Sequence, residues 1–166
     1  MAVRGVDQDP LRNFKFKVEI QTFGVIGFSS VSGLKEQTEI VEYREGTDRS
    51  TPRKLFGQTT FDNVVCENGL TNDVRLLTWR RDIFDPTKGQ NLGAEGAGLG
   101  GAGGLRRLVT ITLGDYHERG TWEWVLRDAW PATWEVSDLA GDGNDVVMQK
   151  LEFTHEGMTA GAKFTR

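Results

Sequence analysis

Two histidines stand beside glutamates, His117-Glu118 and His155-Glu156, and Cys66 is the only thiol in the chain. Imidazoles and carboxylates can bind zinc or move protons. A structural zinc, however, takes about four nitrogen or sulfur ligands at recognisable spacing, and only Cys66 could join the two rings. The histidines are therefore read as turn-capping or packing groups. Gly96, Gly98 and Gly101, and again Gly98, Gly100 and Gly103, match the spacing of a dinucleotide loop. A phosphate cradle needs a strand before such glycines and a helix N-terminus after them. Here a helix ended by Pro86 comes first and Leu108-Val109-Thr110-Ile111 follows as a strand, so the match is accidental. The tryptophans at 79, 122, 124, 130 and 134 could stack on sugar rings, but four of them fall in one strand and the corner after it, which favours packing. Arg80-Arg81 and Arg106-Arg107 read as solvated rims that could meet an acidic partner. No catalytic residues, cofactor or metal site is expected.

The elements that would hold these residues are mostly strands. The chain has 166 residues, enough for a single domain over 1–166, and its 21 glycines against 4 prolines mean that glycine makes the corners. A net charge of −4 supplies no basic field for gripping duplex nucleic acid. A lone cysteine makes no intrachain disulfide, and no segment has the apolar core of a signal peptide or a membrane span. Folding in the cytoplasm, without stable membrane insertion, is the expectation.

Phe14, Phe16, Val18 and Ile20 alternate with Lys15, Lys17 and Glu19, the period of a strand buried on one face. A second strand is expected near Phe28 to Val31 and a third over Lys35 to Arg44. In the third, Thr38 and Ile40 share one face and Gln37, Glu39, Val41 and Tyr43 the other, which leaves its inward side open. Glu45 to Gly57 reads as a long polar connection. Gln58 to Glu67 reads as a fourth strand with a bulge or change of sheet near Val64 and Cys66. One helix, Asn72 to Ile83, starts after Thr71 or Asn72, carries Asp73 in its first turn, buries Val74, Leu76, Leu77, Trp79 and Ile83, and stops at Asp85-Pro86. Gly89 to Gly104 is half glycine and is expected to be a flexible insertion. Three more strands follow: Leu108 to Tyr116, Thr121 to Arg127, and Val146 to Thr154, the last preceded by a turn over Ser137 to Asn144.

In order and spacing, several landmarks resemble the tail tube proteins of contractile-tailed phages and of phage-tail-like injection particles. They are Phe14 to Ile20, Gly27-Phe28 to Gly33-Leu34, Glu42 to Gly46, Arg53 to Gly57, Asn68 to Thr71, the Trp79 helix, Ala129-Trp130-Pro131 and His155-Glu156-Gly157. The Asp85 to Arg107 region is longer and richer in glycine than that family's pattern, and Phe56 stands where proline is expected. The resemblance, which extends to the type VI secretion tube protein, implies a mainly β fold: a β-barrel-like sandwich of two packed sheets with one flanking helix. It implies a structural protein, not an enzyme, forming hexameric rings stacked into a tube that conducts DNA or protein cargo. The implied partners are other copies of the chain, a sheath protein, a baseplate or tube initiator, a tape measure protein or cargo in the lumen, and DNA in a phage. The implied location is a virion tail or extracellular injection particle assembled in the bacterial cytoplasm. By the same analogy Gln58, Thr60, Asp62, Lys150, Glu152 and Thr154 would line the channel, and Asp48, Arg49, Arg53, Lys54, Leu55 and Phe56 would join rings. Asp73, Arg75, Arg80 and Arg81 would face the sheath. Two alternatives stand beside this reading, a tube initiator at the baseplate and a small β-barrel module that binds carbohydrate or another ligand through its tryptophans.

Overall fold

Alternation decides the first strand. In β1 (Phe16–Ile20) Val18 and Ile20 are buried while Lys17 and Glu19 are exposed. A three-residue turn over 21–23, with Thr22 at positive φ, returns the chain as β2 (Gly24–Ile26), whose first residue Gly24 is also at positive φ. On its other side β1 pairs antiparallel with β7 (Arg107–Gly114), placing Val18 opposite Ile111 and Ile20 opposite Val109. The computed structural model describes residues 16–43, 53–85, 105–114, 120–139 and 145–164. The expected strand positions Phe14 and Tyr116, the glycine-rich 89–104 stretch, His117 and most of the 137–144 turn lie outside them.

The organising element is β8 (Gly120–Val136), a single strand of 17 residues. Its first half pairs with β7 and with β10 (Gly157–Phe164), and its second half pairs with β9 (Met148–Thr154). Strands β9 and β10 thus run the length of β8 as one antiparallel ribbon. The ribbon bends where Asp128 takes φ 52° and where the register shifts between Pro131 and Thr133. One sheet is ordered β2-β1-β7-β8-β10, and the other is β8-β9-β6-β3, with β6 at Val64–Gly69 and β3 at Ser30–Ser32. Their inner faces share one core: Val18, Ile20, Val109, Ile111 and Leu126 from the first, Val64, Cys66, Leu151 and Phe153 from the second. The helix α1 (Arg75–Phe84) closes it by inserting Leu76 and Trp79. This is the mainly β, two-sheet sandwich with one flanking helix that the resemblance implied. The helix is not long and apolar enough to cross a membrane.

Several sequence expectations are corrected. Residues 53–57 are strand, not connection: β4 (Glu36–Tyr43) and β5 (Arg53–Phe61) form a separate hairpin in which Tyr43 faces Arg53, Val41 faces Leu55 and Ile40 faces Phe56. β4 is the strand expected over Lys35 to Arg44, and its open inward side is explained by the fact that no residue of it is buried. Asp48 and Arg49 lie outside the described residues. The register shift is a bulge in β5, where Gly57 and Gln58 together stand opposite Glu39, so β4 keeps the expected faces, Thr38 with Ile40 and Glu39 with Val41. The segment 58–67 does change sheet, as its broken alternation suggested, but as two separate strands parted at Asp62-Asn63. Thr121 to Arg127 is only the first half of β8, and β10 has no counterpart among the expected strands. The second expected strand is β3, displaced to Ser30–Ser32. The helix begins at Arg75, and Val74 is 60% exposed, so it does not belong to the apolar stripe.

Candidate assembly surfaces

A ribbon of two strands is marginal in water by itself. The β4–β5 hairpin nevertheless stands off the sandwich with both faces open: Phe56 is 91% exposed and Ile40 64%, and Val41, Tyr43 and Leu55 are exposed on the opposite side. The Thr38 and Thr59 hydroxyls bond across it at 2.9 Å. Gly57 lets the strands close at the register shift, since a Cβ there would lie 3.1 Å from the Cβ of Glu39.

The hairpin joins the sandwich through a neck of two short segments, 33–35 and 61–63. Gly33, at φ +84°, lies against the Asn63 carbonyl. The Asp62 N–H donates to Lys35 O at 3.2 Å, and Lys35 Nζ meets the Asp62 carboxylate at 3.1 Å. Asn63 Nδ2 donates to Glu152 Oε1 at 2.8 Å, tying the neck to β9. The His155 ring packs on Phe61 with centroids 5.7 Å apart, and its Nε2 lies 3.2 Å from Asp62 O. A carbonyl oxygen can only accept, so Nε2 carries the proton. Burial is the main reason the ring's pKa falls below its ordinary value, with hydrogen bonds to backbone at Asp62 and Gly157 pulling the other way.

The expected channel residues separate into three places. Lys150, Glu152 and Thr154 alternate with the buried Gln149, Leu151 and Phe153 and so project from the outer face of the second sheet. On that face Lys150 stands between Glu67 on β6 and Glu135 on β8, a row of charges that includes two residues the sequence reading missed. Gln58 and Thr60 are on the hairpin, where they line a shallow hollow with Gln37 and Ile40. Asp62 is held in the neck.

The helix residues likewise divide. Arg75 donates to the Asp73 carboxylate, with Nη2 2.5 Å from Oδ2, and to Phe23 O at 2.8 Å, so it fixes the helix start to the β1–β2 turn. The Arg75 hydrogen bonds hold the Asp73 carboxyl down at about 2. Arg80 lies over the Phe84 ring at 3.9 Å, and Arg81 is exposed in the last turn. Beneath the helix, Arg107 stacks over Phe23 at 4.2 Å, and burial lowers its pKa.

The two landmark tripeptides at 129–131 and 155–157 meet across the ribbon bend, where Gly157 faces Arg127 and Trp130 faces Thr154. Arg106 pairs with Glu156 there. Of the tryptophans, Trp79 is core and Trp134 donates to the buried Gln149 at 3.2 Å. Trp122 and Trp124 lie at 57° to each other, not as a flat sugar platform. Cys66 is sealed in the core, and burial pushes its thiol up to about 12. A maleimide is therefore expected to leave the native protein unlabelled over hours and to react within minutes in denaturant, read by mass spectrometry. Rapid native labelling would mean that β6 opens.

Comparison with solved structures places the same fold in contractile particles. A chain of the anti-feeding prophage baseplate is 24% identical, with 92% of this chain and 95% of that chain covered and a TM-score of 0.71. A chain of the sheath–tube complex of the extracellular contractile injection system PVC, in its extended state, is 20% identical, with 94% of each chain covered and a TM-score of 0.71. Hcp1 from Flavobacterium johnsoniae is more remote, at 10% identity, 90% and 98% coverage and a TM-score of 0.51. No curated protein matches the sequence. The model of the T4-like virus tail tube protein gp19 family matches residues 12–159, nearly the whole chain, and the protein belongs to that family.

Proposed function

We propose that this chain is the structural subunit of the inner tube of a contractile tail or injection particle, closing into hexameric rings that stack and conduct DNA or protein cargo. The observation that carries the reading, beside family membership, is the hairpin. An ordered ribbon bearing Ile40 and Phe56 on one side and Val41, Tyr43 and Leu55 on the other gains its packing only when another subunit covers it. In this reading the hairpin, not a loop, joins one ring to the next, with Arg53 and Lys54 forming a charged rim around Leu55 and Phe56. The face bearing Lys150, Glu152, Thr154, Glu67 and Glu135 lines the water-filled channel, where charge remains solvated. Arg80 and Arg81 are the helix groups free to meet a sheath. The tube is assembled in the bacterial cytoplasm and ends in a virion tail or an extracellular particle, with a tape measure protein or cargo inside. The role is non-enzymatic.

Phe56→Asp tests it. A side chain 91% exposed in the subunit can change without unfolding it, whereas losing an interface anchor costs about 2 kcal/mol or more at each copy. The variant should give discrete rings that do not lengthen into tubes in negative-stain microscopy. Long tubes would remove the hairpin from stacking, and monomers would move it into ring closure. Copies per particle separate a main tube subunit from a terminal or baseplate ring, since only the former is repeated along the particle.

A further inference from the structure

We propose that the neck between the hairpin and the sandwich is a pH-sensitive hinge with His155 as its pin, closed by the neutral imidazole and loosened by the imidazolium. The ring stands at the bend of the β9–β10 ribbon and reaches across to the other side of the neck, covering Phe61 and donating from Nε2 to Asp62 O. With the proton on Nε2, Nδ1 carries the lone pair. That nitrogen is buried without a hydrogen bond of normal geometry. A second proton would put an N–H and a positive charge in a buried place where only the Gly157 backbone stands near, outside normal hydrogen-bond geometry, and burial outweighs its pull; swinging the ring into solvent recovers that cost. Moving the ring uncovers Phe61 and releases Asp62 O.

The charged groups around the pin do not hold the imidazolium in place. At the neck, Lys35 and the Asp62 carboxylate face each other. On β9, Glu152 accepts from Asn63 Nδ2, and in the bend Glu156 pairs with Arg106. Arg127 on β8 lies against Gly157 and would repel a cation. The direction of the pH effect follows. The closed neck holds the ring's pKa below its ordinary 6.5, so the opened neck binds the proton more tightly. Closure is complete above that ordinary value and weakens as pH falls from it toward the lowered one. The hairpin is the part that would loosen, because no histidine is among the described residues of the sandwich core.

Hydrogen exchange on the full chain tests this. The chain has only two histidines, so between about pH 7.5 and 5.5 few other side chains titrate. Exchange of the β4–β5 amides, corrected for the intrinsic rate, should rise several-fold over that range while β7 and β8 stay unchanged. His155→Gln keeps an N–H for Asp62 O and cannot titrate, so its hairpin should exchange at one corrected rate throughout. His117→Gln should behave as the wild type. A flat wild-type profile, or an equal rise in His155→Gln, overturns the hinge. Should His155→Gln fail to fold, the ring's own titration by NMR in the wild-type chain decides, and a pKa at or above 6.5 overturns it.

Discussion

Replacing Gly33 by alanine is expected to lower the thermal midpoint by roughly 6–12 °C, a loss of about 3 kcal/mol or more. Two costs combine at this position. Gly33 sits at φ +84°, where a residue with a Cβ loses about 1–2 kcal/mol. The new methyl group would also overlap the Asn63 carbonyl oxygen, with Asn63 C and Val64 Cα only 3.1 and 3.2 Å away. All three are backbone atoms, and Val64 is fully buried in the core, so the obstruction cannot swing aside as a side chain would. Gly24→Ala is the matched control. It has nearly the same backbone conformation, φ +74°, but nothing lies within 4 Å of its Cβ, so it should lose only the conformational part, about 1 kcal/mol. Urea titration of the two variants measures the difference. Equal losses would show that the neck is not tightly packed and that only the backbone angle matters.

Strands with one wet face and one dry face were legible from sequence because water and core impose opposite demands on neighbouring residues. Val18 and Ile20 in β1, and Val109 and Ile111 in β7, declare themselves this way. In the hairpin β4 was expected as a strand, but residues 53–57 of β5 were not, because neither face of the hairpin meets the core. Strand β10 was hidden for a different reason: Ala160, Gly161 and Ala162 carry too little side chain to signal a face, and the strand is held by backbone pairing to β8. The passage of β8 through Ala129-Trp130-Pro131 reads as a corner because proline breaks most strands. Here Pro131 sits beside a register shift, in the half of β8 that forms an edge of the second sheet, where a missing N–H is tolerated. The meeting of that tripeptide with His155-Glu156-Gly157 depends on long-range pairing, which no local pattern encodes. The landmarks' order was enough to suggest the family, whereas which surfaces they build required the fold.

Trp79→Ala should be the most damaging single truncation of the helix, costing about 3–5 kcal/mol from a total stability that for a domain of this kind is about 5–15 kcal/mol. Trp79 is 1% exposed and joins three parts of the molecule. Its ring meets Phe23 of the β1–β2 turn edge-on and Phe153 of β9 at a tilt, each with centroids 5.7 Å apart. Its Nε1 donates to Leu105 O at 2.6 Å, holding the approach to β7. The Arg107 guanidinium lies 5.4 Å from the same ring, so truncation also removes a face over which a partly buried charge rests. Trp79→Phe keeps most of the packing and loses the hydrogen bond, and should cost about 1–2 kcal/mol. Trp122→Ala provides the contrast, since at 37% exposure this indole has less to lose in the isolated subunit. Thermal melts of the three variants should rank Trp79→Ala well below Trp79→Phe and Trp122→Ala. If Trp79→Ala melted no lower than Trp122→Ala, the helix would be an ornament on a sandwich that closes without it. If it melts far lower, α1 is the lid of the core, and Arg80 and Arg81 are carried on an element that cannot shift without opening both sheets.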